Sequence, residues 1–296
     1  MMRRKTIAPS TAWINTSARS VPSGARRRQV GDSRDIDWER RFGGVRRLYG
    51  EAALQRFRHA HVAVIGMGGV GSWAVEALAR SAVGKLTLVD LDNIAESNVN
   101  RQLHAVEGNF GLAKVTAMAQ RVHTINPLAE VREIEDFITP DNLDALLATR
   151  FDAVLDAIDD ARAKVALAAW CRKLGIPLVM AGGAGGRVDP TRIRVADLAE
   201  VHGDRLLAKV RNQLRRDHGF PKGLDGNKPG SKKKLQKFGI ACVYSDEPVQ
   251  QPDASCSADA GGITGLNCAG YGSSVAVTAP CGMAAAAEVL KLLWAG

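Results

Sequence analysis

The sequence predicts an α/β protein built on a doubly wound, mostly parallel sheet, with an irregular basic C-terminal extension. Two observations carry that prediction. Strand-like and helix-like stretches alternate from His61 to Met180, starting with a β-branched run, His61-Val-Ala-Val-Ile65, that ends in a glycine cluster. The chain also has 296 residues, 46% hydrophobic and 24% charged, which is globular and long enough for one large core.

The elements follow in order. Residues 1–35 carry eight Lys/Arg against two Asp and read as an unstructured basic extension, with no apolar core of a secretory signal. Asp37–Phe57 reads as short helices. His61–Ile65 is a strand, and Val75, Leu78, Ala79 and Ala82 fall at i, i+3, i+4 and i+7 of a helix. Lys85–Val89 is a second strand, which completes a βαβ unit whose parallel strands need the crossover helix. Helical spacing returns over Leu112–Ile125, and a strand is expected near Val131–Ile134. Thr139-Pro140 reads as a helix start, with Thr as N-cap and Pro at the first helical position. Phe151–Leu155 and Pro177–Met180 are strands around a helix over Ala161–Leu174 that Gly175 closes.

After Gly186 the alternation fails. Arg192–Val195 is a strand, Leu206–Arg216 a basic helix, Gly219–Lys237 a Gly/Pro/Lys loop, and Gly282–Trp294 the final helix. The expected division is a nucleotide-binding domain over 36–200 and a C-terminal region over 201–296 that packs on it. Val275–Trp294 is apolar enough to raise the question of membrane association. Pro280, Glu288 and Lys291 interrupt it, so a buried helix is the default.

The net charge of +9 is unevenly placed: residues 1–35 sum to +6 and residues 205–240 to +9, which leaves the remainder near −6. That is the pattern of an acidic-to-neutral enzyme body with basic attachments suited to a polyanion. Lys232–Lys237 with Arg211, Arg215 and Arg216 would suit a nucleic-acid backbone. The five cysteines, Cys171, Cys242, Cys256, Cys268 and Cys281, contain no C-x-x-C pair. Neither a disulfide framework nor a four-Cys zinc site fits, and a reducing cytoplasm does.

Gly66-Met-Gly68-Gly69-Val-Gly71 satisfies G-x-G-x-x-G between a strand and a helix. There the backbone can approach a phosphate and the helix start offers unpaired N–H groups, as in a Rossmann-type site. Asp90, at the end of the second strand, suits ribose hydroxyls. This much would equally describe an NAD-binding oxidoreductase. The groups that follow change the reading. Asp92, Asn98 and Arg101 come just past the strand, Lys114 sits on the first turn of the next helix, and Asp156 and Asp159 end a further strand. Carboxyl ends of parallel strands face one crevice, so these groups should converge. Arg101 and Lys114 suit triphosphate oxygens, and Asp159 suits Mg²⁺ shared with phosphates. Attack at phosphorus needs such cations, and hydride transfer does not. His61 reads as structural, and His104 as a residue that could face the pocket.

The set G-x-G-G-x-G, D-x-D, S-N-x-N-R-Q, G-x-x-K and D-x-x-D resembles the ThiF/MoeB/HesA family, the bacterial relatives of ubiquitin-activating enzymes. RFGGVRRLYG at Arg41–Gly50 and GGAGGRVDP at Gly182–Pro190 are similar to the branch of tRNA threonylcarbamoyladenosine dehydratases. The resemblance implies ATP and Mg²⁺ as cofactors, with Gly66, Gly68, Gly69, Gly71, Asp90, Asp92, Asn98, Arg101, Lys114 and Asp156 binding nucleotide. It implies Asp159 as the Mg²⁺ residue and a homodimer in which an N-terminal Arg, Arg47 in preference to Arg41, reaches the partner's ATP. Implied too are a modified-tRNA substrate, ATP-driven dehydration, and a sulfur-relay (cysteine desulfurase) system as a further partner. The alternative acceptor is the C-terminus of a ubiquitin-like protein. The two C-x-x-C zinc pairs of other family members are missing, which fits the dehydratase branch. Cys256 and Cys268 read as incidental.

Overall fold

The structure, a computed structural model, describes residues 36–222, 235–251 and 271–295. The basic N-terminal stretch, Lys232–Lys234, Cys256 and Cys268 lie outside them. From Asp37 onward the chain is one compact unit.

Two helices open it, α1 (Trp38–Tyr49) and α2 (Glu51–His59). They are separate because Gly50 takes φ 89°, a left-handed value that ends α1. The strands are β1 (His61–Ile65), β2 (Lys85–Val89), β3 (Glu130–Ile134), β4 (Ala153–Asp156), β5 (Leu178–Ala181), β6 (Ile193–Asp197) and β7 (Ala241–Ser245). They form one sheet in the order β3-β2-β1-β4-β5-β7-β6. All neighbours are parallel except β6 on β7, at the edge. The crossovers and flanks are α3 (Gly71–Arg80), α4 (Lys114–Ile125), the single turn α5 (Leu143–Leu146), α6 (Ala161–Leu174), α7 (Arg205–Asp217) and α8 (Val275–Ala295).

Period-two alternation sorts the strand side chains onto two cores. Val62 and Val64 of β1 join Leu86, Leu88, Leu155 and Val179 on the face covered by α3, α4 and α8. Ala63 and Ile65 join Val154, Met180, Cys242 and Tyr244 on the face covered by α6 and α7. A doubly wound sheet is therefore what the continuous apolar runs required.

Three elements depart from expectation. The sequence does not predict β7, because Ile240–Tyr244 is a short apolar run beyond the regular alternation, yet it pairs with both β5 and β6. Helix α8 begins at Val275, seven residues before the expected start, with Pro280 in its second turn. It packs against α3 with Val277, Cys281, Ala285 and Val289 fully in the core, so it is a core helix, although its length and composition would also suit a membrane. Gly282 permits that packing, since a Cβ there would collide with the Val70 carbonyl. Thr139-Pro140 does not start a helix. Asn142 shapes the turn, accepting from the Thr139 N–H at 2.8 Å and donating to the Phe137 carbonyl at 2.7 Å, and the helix that follows has four residues.

Candidate active site

The connections leaving β1 and β4 run to opposite faces of the sheet, and a crevice opens between their carboxyl ends. A cavity of about 460 Å³ lies there, lined by the glycine turn, the segments after β2 and β4, and the Ala181–Ala184 loop.

The glycines of the turn differ in what they do. Gly66 has φ 93°, and a Cβ on it would press the Ala157 carbonyl at 2.9 Å. Gly71 lies so close to the Gly66 carbonyl that a side chain would overlap it. Gly68 lines the cavity with nothing within 4 Å of its missing Cβ, so the open space belongs to whatever the cavity receives. This is where a phosphate can approach the backbone.

Asp90 follows β2 and is shaped by the turn. One carboxylate oxygen accepts the Met67 N–H at 2.7 Å and the other the Asp92 N–H at 2.9 Å. Each oxygen keeps a lone pair for a hydroxyl donor. Burial pushes its carboxyl above the ordinary range, while Lys114 and the two N–H groups oppose that. Lys114 starts α4, itself buried, with its ammonium 2.6 Å from Asp92 and 3.7 Å from Asp90. Asp92 is 56% exposed, so this is a cation held at the cavity by a partner that solvent can relax. Arg101 is anchored by the Ser97 carbonyl and Asn100 Oδ1, both at 2.9 Å, and lines the same cavity. Asn98 caps the short 3₁₀ turn through Oδ1, and its nitrogen has no acceptor among the described residues.

Asp159 lines the cavity from the rim after β4, whose Ala157 stands against the glycine turn. Among the described residues no three His, Cys, Asp or Glu side chains gather as a metal centre of protein ligands alone. One carboxylate on a cavity that Arg101, Lys114 and the open backbone of Gly68 also line fits Mg²⁺ carried by phosphates, because that ion takes one or two carboxylates and keeps its remaining oxygens.

Asp156 is the correction. Read as a nucleotide ligand, it is fully buried behind the rim and paired with Lys164 at 3.0 Å, away from the cavity lining. Burial raises its carboxyl and the Lys164 ammonium opposes the rise. Of the basic residues expected to face a nucleic acid, Arg211 and Arg215 of α7 are drawn onto the chain itself, while Arg216 stays 72% exposed. Arg211 donates to the Val201 carbonyl, Arg215 to the Pro221 carbonyl while lying over Phe238, and Arg216 pairs with Asp217 at 2.7 Å. Arg205 and Lys209 are exposed cations of that helix with no such partner among the described residues.

Arg41 donates to the Ile125 carbonyl at 2.8 Å, whereas Arg47 is exposed and makes no hydrogen bond or ion pair among the described residues. His61 is remote from the site, at the start of β1, bonded to Thr87 and edge-on to Phe151. His104 is buried but does not line the cavity, and both its ring nitrogens lack partners among the described residues. Burial, helped by Lys114, pushes its imidazole down to about 4. The thiols of Cys171 and Cys281 are buried and pushed up to about 12, so neither is a nucleophile at neutral pH.

Sequence reasoning missed several contributors to the lining, among them Phe137 and Ile138 after β3, Leu206 of α7 and Thr278 of α8. Phe137 is 55% exposed, an aromatic face at the cavity mouth that a polar-motif search passes over. Thr278 approaches Gly69 and also the Arg101 carbonyl, 177 residues before it in the chain, which no local pattern signals.

With that geometry in view, the relatives are informative. The chain is 46% identical to the tRNA threonylcarbamoyladenosine dehydratase of Escherichia coli over 87% of its own length and 95% of the relative's. It is 44% identical to the Haemophilus influenzae protein of the same name, over 87% and 94% of the two chains. The solved structure of the E. coli tRNA N6-threonylcarbamoyladenosine dehydratase in complex with ATP superposes with a TM-score of 0.75 at 44% identity, covering 87% of this chain and 95% of that one. The ThiF family model matches residues 44–295, and the chain belongs to the ThiF family.

Proposed function

We propose that this chain is an ATP-dependent tRNA threonylcarbamoyladenosine dehydratase. The observation that carries the reading is the convergence of Arg101, Lys114 and Asp159 on one cavity whose floor, at Gly68, is open backbone. Relatives of the same name match nearly end to end, and one of them holds ATP.

ATP lies with its phosphates over Gly66–Gly69, its ribose at Asp90 and its base toward Phe137 and Ile138. The carboxylate of the modified nucleoside attacks the α-phosphorus, forming an acyl-adenylate and releasing pyrophosphate. Arg101 and the Lys114 ammonium neutralise charge on the transferring phosphates, and Asn98 donates to a phosphate oxygen. Asp159 would hold Mg²⁺, which supplies further charge neutralisation at the phosphates. The neighbouring urea group then attacks the activated carbonyl and expels AMP, so the nucleoside loses one water in total.

A homodimer completes the site, with Arg47 crossing to the partner's nucleotide, because Arg41 is already used within its own chain. Arg205, Lys209 and Arg216 of α7 receive the tRNA backbone. Buried free thiols and a tRNA substrate suit a reducing cytoplasm. The test is AMP release: it should require tRNA that carries the modification, and Lys114→Ala should lower its rate about 10²- to 10³-fold. AMP release indifferent to tRNA would contradict the reading.

A further inference from the structure

We infer that Lys164 is a positioning residue for the nucleotide site, acting through Asp156 on the rim that carries Asp159. The inference rests on the reading that Asp159 serves Mg²⁺-bound ATP.

The rim, Ala157–Asp160, leaves the sheet after one bond, from the Ala157 N–H to the Ile65 carbonyl at 2.8 Å. Its next backbone donor, Ile158, is held by the Asp156 carboxylate at 3.0 Å. That same oxygen receives the Lys164 ammonium at 3.0 Å, and Lys164 also reaches the Asp156 carbonyl at 3.4 Å. Lys164 lies on α6, whose start is capped by Asp160 through the Ala163 N–H at 2.8 Å. One buried cation thus closes on itself the segment 156–164, which carries Asp159.

The rim has a second duty. The Ala157 carbonyl and Cβ stand against Gly66 and Gly71, so a displaced rim would disturb the phosphate turn as well. Stability alone does not account for a charged pair here. Both side chains are 0% exposed, the second carboxylate oxygen of Asp156 has no hydrogen-bond partner among the described residues, and a buried ion pair is often no more stable than apolar residues of the same volume. What an apolar pair could not do is direct the Ile158 N–H and tie it to α6.

The test uses the full chain with Asp156→Asn and Lys164→Met combined. This pair is neutral and keeps an oxygen for Ile158 while removing the tie to α6. Calorimetry of ATP binding across a Mg²⁺ series is the readout, with thermal unfolding to show that the variant is folded. The Mg²⁺ concentration for half-maximal binding should rise about tenfold or more, since small misplacements of such groups carry large penalties. Asp156→Asn alone, which is isosteric, should give an intermediate rise and covers the case in which the double variant does not fold. Wild-type Mg²⁺ dependence in a folded variant would overturn the inference. Asp159→Ala separates the two claims. If it too leaves the Mg²⁺ series unchanged, the assignment of Asp159 fails. If it shifts the series and the Lys164 variants do not, only the role of Lys164 fails.

Discussion

Gly68 and Gly71 belong to one turn and are glycine for opposite reasons. A methyl group at Gly71 would overlap the Gly66 carbonyl, so Gly71→Ala should cost about 3 kcal/mol in a urea melt. Gly68→Ala meets nothing in the protein and should unfold as the wild type does, yet it should weaken ATP binding at least tenfold by calorimetry, about the effect of 1.4 kcal/mol. Equal loss of stability in both would contradict that division. The motif showed that glycines were needed, but which of them serves the ligand depends on how closely the Gly66 and Ala157 backbone approaches each one. The same holds for the two aspartates after β4. D-x-x-D was legible as a spacing, but only the buried Lys164 shows that Asp156 faces inward while Asp159 lines the cavity. His104 supplies a pH prediction. Its folded-state pKa, about 4, lies below the ordinary 6.5, so the unfolded chain binds the proton more readily. Its contribution is present above pH 6.5 and lost as pH falls toward 4, on the order of 3 kcal/mol. His104→Phe should flatten that part of the stability–pH curve.

At the scale of elements, the sequence announced the strands and helices that carry their own periodicity and boundary signals. Helix α6 begins and ends where read, because Asp160 caps one end and Gly175 takes a left-handed conformation at the other. It concealed the elements whose reason is tertiary. β7 is a short apolar run that acquires meaning only between β5 and β6, and α8 tolerates Pro280 because α3 packs along it. The α3–α8 contact is the one to test, since Thr278 of α8 and Gly69 ahead of α3 both line the cavity. Gly282→Val should destabilise the chain by roughly 2–3 kcal/mol in a urea melt, by forcing α8 from the Val70 carbonyl. ATP affinity should fall with it.

For the whole molecule, charge and symmetry decide. The uneven charge was readable from composition, but composition could not tell that Arg211 and Arg215 are engaged with the chain's own carbonyls while Arg205 and Lys209 face solvent. Symmetry yields a complementation test. In a two-fold dimer where Arg47 acts across the interface, mixing inactive Arg47→Ala and Lys114→Ala chains gives heterodimers with one intact site, about a quarter of wild-type activity overall. No recovery would place Arg47 outside the partner's site. The central claim, that these cations and carboxylates activate a tRNA-borne carboxylate, is tested most directly by nucleoside mass after incubation with threonylcarbamoyladenosine-containing tRNA, ATP and Mg²⁺. The account predicts loss of one water from that nucleoside, abolished by Lys114→Ala and by Asp159→Ala. An unchanged nucleoside, with AMP formed instead on the C-terminus of a ubiquitin-like protein, would contradict it.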